Sequence, residues 1–99
     1  VSYTVRYTRG AREDLLRLYR YLASQDVLAA RRARTAIAKG MEFLQEFPFS
    51  CRKVERGSPF QREMIIPFGG SGYVALFEVE EDMMVTVLAI RHQREDDYI

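Results

Sequence analysis

Between Arg62 and Arg91 the chain consists of three apolar runs separated by two short polar breaks. Gly69-Gly70-Ser71-Gly72 separates Arg62–Phe68 from Tyr73–Glu80, and Glu80-Glu81-Asp82 separates the latter from Met83–Arg91. Strands joined by so few residues have no room for a crossover, so they pair antiparallel as a meander. A meander with an apolar face needs a cover, and the preceding residues must supply it. Pro67 has no N–H to donate, which places the end of the first run at an edge or a bulge. In the last run, regular alternation puts Val85, Val87, Ala89 and Arg91 on one face and Thr86, Leu88, Ile90 and His92 on the other.

The cover is legible as two helices. Ser2 to Tyr7 alternates as a half-buried first strand, with Tyr3, Val5 and Tyr7 on one side. Thr8 is placed to cap the helix that follows. Ala11, Leu15, Leu18, Tyr19 and Leu22 recur at helical spacing on one face. Ser24-Gln25-Asp26 interrupts the pattern, and Asp26 caps a second helix. Its stripe is Ala30, Ala33, Ile37, Gly40, Met41, Leu44 and Phe47, closed by Pro48. So short a connection predicts an antiparallel helical hairpin. Cys51 to Phe60 reads as irregular. The expected fold is a single α+β domain over 1–99, in the order β-α-α-β-β-β, with the helical hairpin on one face of a small antiparallel sheet.

Composition narrows the functional classes. No apolar run reaches the length of a membrane span, and the early alternation is unlike a signal peptide. The single cysteine, Cys51, cannot form an internal disulfide, so a reducing, cytoplasmic setting is expected. Net charge is only +1, but it is unevenly distributed. Residues 1–62 hold thirteen bases and six acids, a balance of +7; residues 63–99 hold two bases and eight acids, a balance of −6. Thirteen of the fifteen bases are arginine, the residue suited to planar pairing with carboxylate or phosphate. The two halves can therefore pair with each other, with an acidic protein partner, or with nucleic acid.

The candidate chemistry is sparse. Gly69-Gly70-Ser71-Gly72 lacks the helix and the Gly-Lys-Ser/Thr ending of a phosphate loop and reads as a hairpin turn. One histidine and one cysteine do not make a zinc site, and no metal or cofactor is expected. Glu95-Asp96-Asp97 reads as a solvated tail. Cys51 has Arg52 and Lys53 beside it, which would lower a thiol pKa, but no neighbouring base completes a nucleophile. The stronger candidate is the exit of the last strand, where Arg91, His92 and Arg94 leave a dry segment. His92 is the only histidine and suits proton transfer near neutral pH, Arg94 suits a phosphate, and Tyr98 can donate a proton or stack on a base. Leu16 and Tyr21, on opposite sides of the first helix's stripe, and Phe43, off the stripe of the second, are candidates for a partner surface.

Taken together, these pieces resemble the RelE/ParE superfamily of type II toxins over nearly the whole chain. The resemblance rests on Thr8, Ala11, Asp14 and Leu15 at the entry to the first helix, and on Phe47-Pro48 closing the second. It rests further on Arg62-Glu63, on Gly72-Tyr73 leading into Val74–Val79, and on the closing Val85-Thr86-Val87-Leu88-Ala89-Ile90-Arg91-His92-Gln93-Arg94-Glu95. The superfamily implies one fold with two activities. RelE-like members cut ribosome-bound messenger RNA without a metal; ParE-like members cut no RNA and poison DNA gyrase. Both are silenced by a small antitoxin whose C-terminal segment wraps the toxin.

The resemblance leans toward the ParE branch, because Val74, Leu76 and Glu78 stand on the middle strands where the RelE-like centre clusters bases. On that branch Arg91, His92 and Arg94 contact gyrase, and no catalytic residue is expected. In the RelE-like alternative, His92, Arg94 and Tyr98 form the ribonuclease centre. A third alternative is a non-toxic binding module. The resemblance implies a ParD-like antitoxin, apolar toward Leu16, Tyr21 and Phe43 and acidic toward Arg31 and Arg34, with an exposed sheet edge available for an added strand.

Overall fold

The protein is described by a computed structural model, in which residues 2–93 are described. The elements are β1 (Thr4–Tyr7), α1 (Arg9–Ala23), α2 (Val27–Glu46), a 3₁₀ turn (Pro48–Ser50), β2 (Arg52–Lys53), β3 (Gln61–Phe68), β4 (Ser71–Glu80) and β5 (Met84–His92). They form a five-stranded sheet in the order β1-β5-β4-β3-β2. The expected meander is β3-β4-β5, antiparallel throughout. β1 lies parallel to β5 on its other side, so the dry last strand is interior. The two-residue β2 pairs with Arg62 and Glu63 of β3, within the stretch read from sequence as irregular. It is too short to show a hydrophobic period.

Both predicted caps form. Thr8 Oγ1 accepts from Ala11 N–H at 3.1 Å, and Asp26 Oδ1 accepts from Ala29 N–H at 3.1 Å. α1 packs on β5 and α2 on β3, so the hairpin straddles the buried β4. Gly40 makes the second contact close, since a Cβ there would stand 3.0 Å from Met64 and 3.1 Å from Ile66. Leu44, Phe77, Val85, Val87 and Ile90 are fully enclosed in the core between helices and sheet. Phe47 departs from its predicted place in the α2 stripe. The chain leaves the helix at this residue, and the ring, 54 % exposed, turns outward to meet Phe43 at 5.5 Å.

The last strand also departs from strict alternation. Phe77 pairs with Val87 and Leu76 with Ala89, which leaves Leu88 as an extra residue, a β-bulge. The bulge reverses the phase: Val85, Val87 and Ile90 all enter the core, while Thr86, Ala89 and Arg91 lie in rows on the outer face. The predicted grouping of Val87 with Ala89 and of Leu88 with Ile90 is thereby corrected. α1 fits the bulge closely. Thr8 N–H donates to Val87 O at 3.0 Å, Thr8 Oγ1 donates to Leu88 O at 3.2 Å, and Asp14 Oδ2 accepts from Ile90 N–H at 3.0 Å. These polar contacts continue along the edge of β5 after β1 ends, so its backbone groups stay paired.

Candidate functional site

Two surfaces carry arginines that the fold treats differently. The first is a groove of about 620 Å³ associated with the helical hairpin. Leu15, Leu16, Leu18 and Tyr19 line it from α1, Ala30, Ala33, Ile37 and Ala38 from α2, and Tyr7 and Tyr73 from the sheet. Among the described residues, Arg12 and Arg34 are the charged ones that line it, and no carboxylate does. Burial pushes the Tyr7 hydroxyl above its ordinary pKa, partly offset by the Arg12 charge; burial alone raises that of Tyr73. Both phenols therefore stay protonated at neutral pH.

The second surface is the outer face of the sheet, away from the helices. The pairing register aligns Gln61, Glu78, Thr86 and Arg6 in one row, and Arg52, Glu63, Leu76 and Ala89 in another. Arg6 Nη2 meets Glu80 at 2.8 Å and Arg6 Nε donates to Thr86 Oγ1 at 2.9 Å; Thr86 also donates to Glu80. Hydrogen bonds from Thr86 and Arg6 hold the Glu80 carboxyl below its ordinary pKa. Arg52 Nε meets Glu63 at 3.2 Å, and Gln61 reaches Glu78 at 3.4 Å. Arg62 faces the other way and works as a structural tie. Its guanidinium donates to Phe49 O at 3.1 Å, Cys51 O at 2.9 Å and Pro59 O at 3.2 Å, and lies 5.2 Å from the Phe49 ring centroid.

The predicted strand exit divides. His92 lies on the helix side, with its ring 5.7 Å from Tyr73 in an edge-on contact and Nε2 2.9 Å from Ser71 Oγ. Tyr73 in turn stacks on Phe68 at 6.0 Å. Arg91 leaves on the outer face, in the row of Val74 and Ile65, and its Nη1 donates to His92 O at 3.3 Å. Arg94 and Tyr98 lie outside the described residues.

The predicted partner surface divides as well. Leu16 and Arg34 meet at the groove, whereas Phe43 is paired with Phe47 and Tyr21 stands near the closed end of the hairpin with Val27 and Leu28, all exposed. Arg31 is exposed on α2 and does not line the groove. The reading of Cys51 is corrected. Burial raises its thiol pKa, and the opposing charge is Arg62, more distant in sequence than Arg52 and Lys53. The groove residues missed from sequence, Tyr7, Arg12 and Tyr73, belong partly to strands whose lateral neighbours only the tertiary fold reveals.

The sequence and the fold are similar to those of known proteins. The family model described as the ParE toxin of the type II toxin–antitoxin system parDE matches residues 5–97. The chain belongs to the ParE toxin family. A curated relative, Toxin RelE1 of Caulobacter vibrioides, is 33% identical over 79 residues, which is 80% of this chain and 82% of that one. The toxin–antitoxin complex RelBE2 from Mycobacterium tuberculosis contains a chain 26% identical, with a TM-score of 0.57 over 96% of this chain and 95% of that one. A chain of the chromosomal ParDE system from P. aeruginosa shares the fold, with a TM-score of 0.70 at 20% identity, over 91% of this chain and 95% of that one. This ParE-family chain is therefore a type II toxin, and its structural neighbours come from toxin–antitoxin systems. Among the described residues no helix is long and apolar enough to cross a membrane.

Proposed function

We propose that this toxin inhibits DNA gyrase and is neutralised by a ParD-like antitoxin that covers the groove of the helical hairpin. The observation that carries the gyrase reading is the engagement of the outer sheet face. Metal-free cleavage of RNA needs cations held ready for a phosphate as charge develops. On this face Arg6 and Arg52 already meet carboxylates, and Arg62, on β3, is held by three backbone carbonyls. Substrate phosphate would have to displace Glu80 or Glu63 before binding. Gyrase inhibition makes no such demand, and it accords with the family match.

Support for the partner comes from the groove, whose lining among the described residues is apolar with Arg12 and Arg34 and no carboxylate. A segment with apolar side chains and a few carboxylates complements it, and such a segment can fold on binding. Of the residues singled out from sequence, Leu16 and Arg34 are the expected antitoxin contacts at the groove, with Tyr21, Arg31 and Phe43 contacts only for a partner that extends beyond it. Arg91 and His92, leaving on opposite faces, present two separate contacts to gyrase.

Induction of the chain in cells without antitoxin tests the target. Filamentation with induction of the DNA-damage response is the expected outcome. Rapid loss of translation with cleaved messenger RNA would replace this reading with the ribonuclease one.

A further inference from the structure

A second groove, of about 880 Å³, opens at the end of the sheet where β4 turns into β5. It shares no lining residue with the groove of the helical hairpin. Its walls combine two chemistries. Phe49 and Phe60 stand edge-on at 6.4 Å with both rings half-exposed, and Met83 adds an exposed thioether to the lining. Among the described residues the lining also holds Glu78, Glu80, Glu81 and Asp82 against one base, Arg6. Arg6 is taken up by Glu80, and Glu78 meets the side-chain amide of Gln61. Glu81 and Asp82 are exposed, and among the described residues no cation pairs with either. Both walls are held by backbone contacts. Phe60 O accepts from Val79 N–H at 2.9 Å, and Phe60 N–H donates to Ser58 Oγ at 3.2 Å. In the β4–β5 turn, Asp82 and Met83 take φ of 60° and 56°. A left-handed pair of this kind favours Asn and Gly, and a methionine there is strained. The turn therefore keeps a carboxylate and a thioether at the groove at a cost to stability.

We propose that this second groove docks a basic peptide segment of a partner protein, with arginine or lysine side chains against Glu81 and Asp82 and an apolar side chain on Phe60 and Met83. Charge complementarity selects this occupant. The excess of carboxylates repels phosphate, so nucleic acid and anionic lipid do not fit. Among the described residues the carboxylates do not gather into a group that could hold a metal ion. Exposed phenylalanine rings accept both apolar side chains and the face of a guanidinium. Arg62 already lies 5.2 Å from the centroid of the Phe49 ring, an internal example of that contact. The occupant is opposite in charge to the segment proposed for the helical groove, and the separate linings allow both to be filled at once. The docking holds whether the toxin acts on gyrase or on messenger RNA.

Titration of the isotopically labelled full chain with a peptide alternating arginine and leucine tests the docking. The same peptide with glutamate in place of arginine is the control. Amide shifts are expected to move at residues 58–60 and 80–84 and to stay fixed along α1. The basic peptide should bind roughly tenfold tighter than the acidic one, or more, and should weaken as salt is added. Phe60→Ala, with Met83→Ser as a second probe of the apolar wall, should weaken binding several-fold in protein with the parent's circular dichroism. So should Glu81→Gln combined with Asp82→Asn. Asp82→Asn combined with Met83→Gly should raise the thermal midpoint while weakening binding, because it relaxes the turn and strips the groove. A turn with only a structural role would show the first effect without the second. No shift at 80–84 in millimolar basic peptide would overturn the proposal. Unchanged affinity in both Phe60→Ala and Met83→Ser would also overturn it, by reducing the site to an unspecific acidic patch. Self-association of the free chain that Glu81→Gln with Asp82→Asn abolishes would overturn it as well, by making a second copy the occupant.

Discussion

The groove and the outer sheet face both carry arginine, yet they present it to solvent in different states. On the sheet, Arg6 of β1 reaches past β5 to Glu80 of β4, and Arg52 meets Glu63 on the adjacent β3, so their charge is matched before any partner arrives. At the groove, Arg12 and Arg34 project from helices beside apolar side chains, with no carboxylate in the lining among the described residues. The cause is geometric. Strand pairing, parallel for β1 and antiparallel for β2, brings side chains from different parts of the sequence side by side, so the acidic second half meets the basic first half there. The helices α1 and α2 both belong to the basic half, and their packing brings together cations and apolar residues. Near-zero net charge therefore conceals one surface of paired charges and one where arginines stand among apolar side chains.

The comparison breaks most visibly at the arginine most deeply tied into the fold. Arg62→Met removes donors to Phe49, Cys51 and Pro59 carbonyls and is expected to cost about 2–3 kcal/mol of stability in urea titrations. Arg34→Glu, at the groove, should change stability by less than about 0.5 kcal/mol. It should nevertheless weaken antitoxin binding by calorimetry by on the order of tenfold or more, since it places a like charge against an acidic segment. If Arg34→Glu destabilises as much as Arg62→Met, the distinction between matched and available arginines fails.

Asp14→Ala should fall between these in its effect on folding, at about 1–2 kcal/mol, because it leaves Ile90 N–H without its partner. Hydrogen exchange should then rise at the end of β5 and remain unchanged at β3. The smallest effect belongs to the matched face. The Glu80 pKa is lowered by Thr86 and Arg6, so its stabilising contribution is present above the ordinary glutamate pKa and is lost as pH falls through the lowered value. A small stability difference between parent and Glu80→Gln is therefore expected at neutral pH and should shrink toward zero in acid. A difference that grows on acidification would reverse the assignment.

Most of the fold was legible because its signals are local. The Thr8 and Asp26 caps, the two helical stripes and the turns after Phe68 and Glu80 each reside in a few adjacent residues. The Leu88 bulge was not legible, because it is fitted to Thr8 and Asp14 on the far side of the sequence. Asp14 stood out only within a resemblance; its physical task as acceptor for Ile90 emerges once α1 lies on β5. Phe47 continued the helical stripe in sequence, but the following Pro48 ends the helix and turns the ring outward. Of the candidate partner residues that line the groove, Leu16 was legible from helical periodicity, whereas Arg34 was named only from the charge of the first half within the resemblance. Tyr7 and Tyr73 were not legible, since strand alternation says which face a residue occupies and nothing of what lies beside it.

The central claim is that the outer face is unsuited to RNA cleavage and that the toxin acts on gyrase. The most direct measurement mixes purified, antitoxin-free protein with gyrase, ATP and relaxed plasmid, and follows supercoiling and trapped linear DNA. Blocked supercoiling with accumulated breaks is the expected result. Undisturbed supercoiling by folded protein that instead cleaves ribosome-bound messenger RNA would contradict the account and return His92, with Arg94 and Tyr98, to the role of a catalytic centre.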